Sequence, residues 1–327
     1  MDRILRLLAL ACAIAWATLA AVPFAAAQPF PDKPVRILVG FAPGGVSDFV
    51  ARMLAQQLSQ IWGQSVVVEN RTGASGTIAG TEVVRAKPDG YTLLVSPQTA
   101  IAVAPQMMPK PPYDPLRDLT PITAIASSPL VLVAHPSFGP NDFAQFIAHV
   151  RANPGKISFA SGGMGSSPHM TQELLNKELS LKMVHVPYRG EAPALNDVLG
   201  GQVPVLFANI PTGMPHINSG QLKALVTTGR QRSPQAKDIP TIKESGAGDI
   251  ETATWNGLYA PAGLDPKLVQ KIYKDVVQAM SQGDARERLL ASGNEPVLDE
   301  PAAFAKFLQS EVSRWGDVVR AGNLQMN

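Results

Sequence analysis

Apolar residues fall in short dense runs separated by glycine, proline and polar stretches, and between many of those runs lies a longer segment with apolar positions three and four apart. The first run, VRILV at 35–39, keeps no polar alternation. Its Val35, Ile37, Leu38 and Val39 therefore read as a strand buried on both faces, as in a parallel sheet. The run breaks on Pro43, Gly44 and Gly45 and restarts as a helix with Val50, Met53, Leu54, Leu58, Ile61 and Trp62 on one stripe, Gly63 at its end, and Ser47 or Asp48 as its expected cap. A strand at 65–69, a helix near 78–86 and, after the turn at Pro88, Asp89 and Gly90, a strand at 91–95 continue the alternation. Right-handed crossovers make such strands parallel, so loops 41–48, 70–77 and 96–99 are expected at one carboxyl edge.

Residues 105–121, rich in proline and methionine, read as a long surface connection. The alternation then resumes, with strands at 130–134, 157–160, 183–186 and 203–207, helices at 143–152, from 168 and up to 199, and loops 161–167 and 187–192. Residues 222–228 suggest a further strand, 229–249 a polar connection and 255–260 another strand, before amphipathic helices near 266–280, 284–291 and 301–319. The pattern gives an α/β fold with mainly parallel sheets and a helical C-terminus. Two α/β units imply two lobes facing across a cleft, where ligand pockets favour interfaces and switch points. The chain is expected to cross between them near 125–129 and within 229–254, so that 28–127 with 250–327 form lobe 1 and 128–249 form lobe 2.

The first residues change the picture of where the protein works. Arg3 and Arg6 precede an apolar segment from Leu7 to about Phe24, followed by Ala25, Ala26 and Ala27. That order is a secretory signal cut before Gln28, and it implies a periplasmic protein. Read as a membrane anchor instead, the segment barely reaches the ~20 residues a span needs. Cys12, the single cysteine, lies inside it, so the mature chain has no thiol for disulfides, zinc sites or nucleophilic catalysis. The whole chain carries +2, and removing residues 1–27 leaves 26 basic against 25 acidic side chains. Neither nucleic acid nor an anionic membrane surface suits so balanced a charge.

Two loops carry the candidate chemistry. Residues 41–48 (FAPGGVSD) and 161–168 (SGGMGSSP) each place glycines and hydroxyls before a helix, a site for an anion at the positive end of a helix dipole. Neither is a Walker A loop, and no Gly-x-Gly-x-x-Gly follows Val39 or Val68, so nucleotide binding and cofactors are not expected. His169 either bonds a ligand or caps its own helix. His135, His149, His185 and His216 are scattered without His-Glu-x-x-His spacing, and no metal site is expected. No Gly-x-Ser-x-Gly elbow or Ser-x-x-Lys appears, which argues against an enzyme. Tyr188 covers a ligand or packs between lobes. Arg189 is a carboxylate clamp on chemistry alone. Asn209 ends a strand at the same edge and reads as a polar contact. Asp48 would repel an anion, so it either bonds free N–H groups of its helix or meets an amine or hydroxyl of the ligand.

The order and spacing of FAPGGVSD (41–48), GQSVVVENRTG (63–73), KPDGYTLL (87–94), PYDP (112–115), SGGMGSSPH (161–169), PYRG (187–190) and YAPAG (259–263) resemble the substrate-binding proteins of tripartite tricarboxylate transporters, the Bug or TctC-like family. The resemblance covers nearly the whole mature chain. It implies a type II periplasmic binding protein of the Venus-flytrap kind, a monomer that captures a small carboxylic acid and delivers it to membrane permease subunits. It also implies recognition mainly by glycine-loop amides and ordered waters, with Arg189 secondary. Val46 stands where the family usually has a third glycine, and its Cβ narrows the pocket mouth. The ligand contacts expected on both grounds are Phe41, Ala42, Gly44, Gly45, Val46, Ser47, Asp48, Gln98, Ser161, Gly165, Ser166, His169, Tyr188 and Asn209. A ligand-sensing receptor for a sensor kinase and a periplasmic hydrolase are the alternative functions.

Overall fold

A computed structural model describes residues 30–281 and 283–326. The segment 1–27, expected to be a secretory signal, and Cys12 within it lie outside the described residues. Residues 30–33 form no helix or strand, and the chain from Pro34 onward forms one compact unit.

Strands β1 (Val35–Val39), β2 (Val66–Asn70) and β3 (Thr92–Pro97) lie side by side with β1 in the centre, all parallel. Helix α1 (Val46–Trp62) follows β1 and ends on Gly63 in the left-handed conformation (φ 62°), and α2 (Thr77–Val84) follows β2. A π-helical turn, Thr99–Val103, and the short α3 (Ala104–Met107) then lead to β4, a strand of 16 residues from Leu119 to Ala134. The remaining elements are α4 (Phe143–Ala152), β5 (Ser158–Ser161), α5 (Ser167–Glu178), β6 (Val184–Pro187), α6 (Glu191–Leu199), β7 (Val205–Asn209), α7 (Ile210–Asn218), β8 (Lys223–Thr227), β9 (Ala253–Pro261), α8 (Pro266–Ser281), α9 (Gly283–Ala291), β10 (Glu295–Pro296) and α10 (Pro301–Ala321).

The parallel order holds at the two ends of the sheet, among β1–β3 and among β5–β7. In the middle it gives way to antiparallel pairing, because β4 and β9 carry the chain from one half to the other in opposite directions. From Leu119 to Pro129, β4 pairs β9, and from Leu130 to Ala134 it pairs β7 and β8. The connection expected over 105–121 is thus partly α3 and the start of β4, and the strand expected at 130–134 is only the second part of a much longer one. Pro121 and Pro129 hid it. Proline cannot donate to a ladder and punctuates strands, and here one stands at a bulge and the other where β4 changes partners. Helix α7 was concealed similarly by Pro211 and Pro215. A proline in the first turn gives up only an N–H that the helix does not use.

One apolar cluster surrounds Trp255, Tyr259, Phe304 and Trp315 and takes in Met170 and Leu174 from α5, so α10 packs against elements of both halves. The buried Glu311 carboxylate accepts both indole N–H groups, from Trp255 and Trp315, at 2.9 Å, and pairs with Arg314 at 2.6 Å. Buried charge is tolerable only when so saturated. A second cluster, with Phe143, Phe146, Phe159 and Phe207, fills the other half.

Candidate functional site

Strand register decides where the glycine loops lie. At the end of β3, Pro97 pairs with Asn256 of β9, which pairs with Ala126 of β4. At the end of β7, Asn209 pairs with Leu130 of the same β4. The two sets of carboxyl ends therefore run toward each other and stop four residues apart along β4, about 13 Å at 3.3 Å per residue.

On the first edge, β1 gives way to Gly40, where an added Cβ would fall 2.4 Å from the Gly76 carbonyl oxygen, so this loop and the one after β2 touch backbone to backbone. Gly44 has φ 84°. Helix α1 starts at Val46 with Gly45 as its extended N-cap and no side-chain capping bond, so neither Ser47 nor Asp48 caps it as expected. Its first-turn N–H groups stay uncapped beside the exposed Ala42, Gly44, Gly45 and Val46. Ser47 is buried and donates to Asn256 Oδ1 at 2.6 Å. Asp48 is buried too. Its Oδ2 accepts Gly44 N–H and Arg52 Nε–H, and its Oδ1 accepts Asn70 Nδ2–H, each at 2.9 Å. Burial pushes this carboxyl up, but Arg52, Gly44 and Asn70 together outweigh it and hold it below the usual carboxylate range. The half-buried Phe41 packs its ring over Gly76, where a Cβ would come within 2.6 Å. Gln98 is 1% exposed. Its amide, in the orientation that satisfies its neighbours, donates to the Ala253 carbonyl at 2.9 Å and shares the single Trp315 Nε1–H, at 3.0 Å, with Glu311.

On the second edge, β5 ends at Ser161, fully buried, whose hydroxyl accepts Gly163 N–H at 3.1 Å and meets His185 Nε2 at 2.6 Å. Gly165 (φ 73°) donates its N–H to His169 Nδ1 at 3.1 Å, and Ser166 donates its hydroxyl to the Gly163 carbonyl at 2.7 Å. Ser166 is the N-cap of α5, again without a side-chain cap, with Pro168 in the first turn. The His169 and His185 rings stack 3.9 Å apart beneath the loop, and Phe159 stacks on His185. The histidines that looked scattered in sequence are thus partly gathered here. Burial pushes His169 down to about 3, helped by His185, and pushes His185 down to about 4, so both are neutral. His169 spends its acceptor on Gly165, which answers the choice between ligand contact and cap in favour of holding the loop.

Tyr188 donates its hydroxyl to Asp197 Oδ2 at 2.5 Å. Arg189 is exposed, with no hydrogen bond or ion pair among the described residues. Asn209 donates its backbone N–H to Glu191 Oε1 at 2.7 Å and its side-chain Nδ2–H to Oε2 at 2.5 Å. Several of these supports carried no expected role in the sequence: Arg52, Asn70, His185, Glu191 and Asn256. Asn70 and Glu191 stand at a strand end and a helix start, the one signal that could have marked them. Met326 had no signal. Its N–H donates to the Met107 carbonyl at 3.0 Å, its sulfur accepts Ser75 Oγ–H at 3.5 Å, and a Cβ on Gly165 would fall 2.6 Å from its methyl. One methionine therefore spans from the loop after β2 to the loop after β5.

Two helix N-termini, uncapped by side chains, open onto this gap, and the buried Asp48 carboxylate there is already paired with the solvent-exposed Arg52 guanidinium. The arrangement suits an anion bound by backbone amides. No group of three or more metal-ligating side chains occurs among the described residues. Nor is any helix there long and apolar enough to cross a membrane. A cavity of about 620 Å³ lies along β4, β9 and α10, lined by Trp255, Phe307, Arg314 and Glu251, and it shares no residue with the glycine loops.

The family described as tripartite tricarboxylate transporter family receptor matches residues 50–324. Protein BugT of Bordetella pertussis is 36% identical over 295 residues, covering 90% of each chain. Among solved structures, the periplasmic binding protein BugD is 34% identical with a TM-score of 0.75, over 91% of this chain and all of its own. MatC from Rhodopseudomonas palustris with bound malate is 35% identical with a TM-score of 0.75, over 89% of this chain and all of its own.

Proposed function

Because the chain belongs to the tripartite tricarboxylate transporter receptor family, we propose that it captures a small carboxylate between the two loop edges in the periplasm and delivers it unchanged to the permease subunits of such a transporter. The observation that carries this reading is the pair of glycine loops, each leading into an uncapped helix N-terminus, meeting across four residues of β4. Amides and helix dipoles hold a carboxylate without a buried cation that would have to be desolvated when the site is empty.

The expected contacts divide into two groups. Phe41, Ala42, Gly44, Gly45, Val46 and Ser166 meet the ligand, Val46 narrowing the mouth, while Gly165 is buried with its N–H on His169 and keeps the second loop's turn. Ser47, Asp48, Gln98, Ser161 and His169 shape the loops from beneath, because their side chains are already engaged and buried. Tyr188 and Asn209 border the far side of the gap. The partner change in β4 at 129/130 and the start of β9 at Ala253 support lobes of 28–127 with 250–327 and of 128–249. Capture is a hinge closure of a monomer about those two strands, and residues 1–27 are its export signal.

The 2.6 Å contact between Ser161 and His185 raises a hydrolase reading. It fails as a nucleophile and base, because Ser161 is 0% exposed and a histidine held down to about 4 is a poor base at neutral pH. The test is a thermal-shift screen of small carboxylates against the exported protein. A true ligand at ~100 times its dissociation constant adds about 2.7 kcal/mol to the folded state. A panel in which no carboxylate raises the melting temperature overturns the reading.

A further inference from the structure

Glu191 is the first residue of α6 and stands at the second loop edge. Gly190 before it has φ 117° and donates its N–H to the Gly162 carbonyl at 3.2 Å, which fastens this corner to the glycine loop after β5. Its carboxylate takes both the backbone N–H and the side-chain amide of Asn209, the N-cap residue of α7. Those are two of the donors that the β7 edge would otherwise offer a ligand, and a carboxylate of the protein itself already sits on them. No cation offsets it: among the described residues no Lys, Arg or His forms an ion pair with Glu191. Arg189, two residues away, points into solvent without a partner, and the Tyr188 hydroxyl is committed to Asp197. A negative group brought close to Glu191 would meet a like charge, and the backbone N–H and one side-chain N–H of Asn209 are already spent on it.

Resting on the carboxylate-binding reading above, we infer that Glu191 sets the charge of the ligand's far end: the site takes monocarboxylates whose other end is neutral or positive, and rejects α,ω-dicarboxylates. One carboxylate is held by the amides of the first edge, at the start of α1. The opposite end lies against the Glu191–Asn209 corner, where a hydroxyl, amine or apolar group fits and a second carboxylate does not. This sets the chain apart from MatC, whose structure holds malate, a dicarboxylate.

The experiment is calorimetric titration with matched pairs of equal length, butanoate against succinate and hexanoate against adipate, on the wild type, Glu191→Gln and Glu191→Ser. The glutamine keeps the shape and removes the charge. The serine also frees the Asn209 donors, and the glutamine variant keeps the test decisive should the serine variant fold poorly. In the wild type the better-bound monocarboxylate should exceed its dicarboxylate partner at least tenfold. The ratio of dicarboxylate to monocarboxylate affinity should rise at least tenfold in Glu191→Gln and further in Glu191→Ser. A wild type that binds the dicarboxylates as well as their partners, or a ratio unmoved by either substitution, overturns the inference while leaving carboxylate binding intact. A wild type that binds none of the four, nor any other carboxylate, overturns the binding reading itself.

Discussion

Each loop edge contains one acidic side chain that accepts loop N–H groups, yet Asp48 and Glu191 end in opposite electrostatic states. Asp48 has the Arg52 guanidinium at 2.9 Å in addition to Gly44 and Asn70, and its carboxyl is held below the usual range. Glu191 has only the dipoles of Asn209, and burial pushes its carboxyl above the usual range, against the pull of those two hydrogen bonds. Hydrogen bonds alone, even two short ones, do not make up for lost hydration where no cation stands nearby. The first edge is thus a scaffold whose carboxylate is held in its charged form by its partners. The second holds a carboxylate with no cation beside it, bonded to Asn209 alone.

The largest effect should come from neutralising the two acids separately. Asp48→Asn removes a charged acceptor and leaves an amide facing Arg52, and it should cost about 1.5–3 kcal/mol at pH 7. Glu191→Gln should leave stability unchanged or raise it. The signs follow from linkage. A depressed native carboxyl contributes stability that is present above the ordinary 3.8 and lost as pH falls. A raised one contributes stability that is complete below the ordinary 4.5 and lost as pH rises through its native value. Urea unfolding of both variants from pH 4 to pH 8 decides it, and losses of equal size at neutral pH would erase the contrast.

The histidine pair beneath the second edge extends the comparison, because the first edge has no such support. Both native values are depressed, so their contribution is present above the ordinary 6.5 and disappears as pH falls toward the native values of about 3 and about 4. His169 alone should remove about 2 kcal/mol between pH 6.5 and 5, at 1.4 kcal/mol per unit. His169→Gln, which still offers an acceptor to Gly165, should flatten that limb in an acid titration followed by near-UV circular dichroism.

Placing a carboxylate on the first edge, by Gly45→Asp, should weaken carboxylate binding by about 0.3–1 kcal/mol, and by up to ~2 if the ligand is partly buried there. The smallest effect is expected for Arg189→Ala, within ~0.5 kcal/mol in stability as for other surface positions, with little change in ligand affinity. Calorimetry on both variants orders them. An Arg189→Ala that abolishes binding beside an active Gly45→Asp would transfer recognition from the amides to a side-chain clamp.

Much of this was legible in the chain before any coordinates. Unbroken apolar runs gave β1, β3 and the ends of the second sheet half, and helical spacing gave α1, α4 and the three C-terminal helices nearly to the residue. Glycine, which admits left-handed backbone as at Gly44 and Gly165, and proline, which lacks an N–H, marked both loops. These are local signals, set by backbone sterics and by which face of an element must leave water.

Partnership was not local. Whether Ser161 and His169 would meet a ligand or hold a loop depended on His185, which the sequence places 16 residues beyond the second of them and the fold stacks on its ring. Whether Asp48 stayed charged depended on Arg52 and Asn70, and whether Asn209 was free depended on Glu191, 18 residues earlier. The sequence by itself determined the α/β alternation and the two backbone-lined turns, because those follow from short-range sterics and periodicity. Only the tertiary structure decided that one 16-residue strand carries both halves, that the turns face each other, and which buried polar groups are already paired, because a buried group's charge and freedom are properties of the neighbours that folding brings to it.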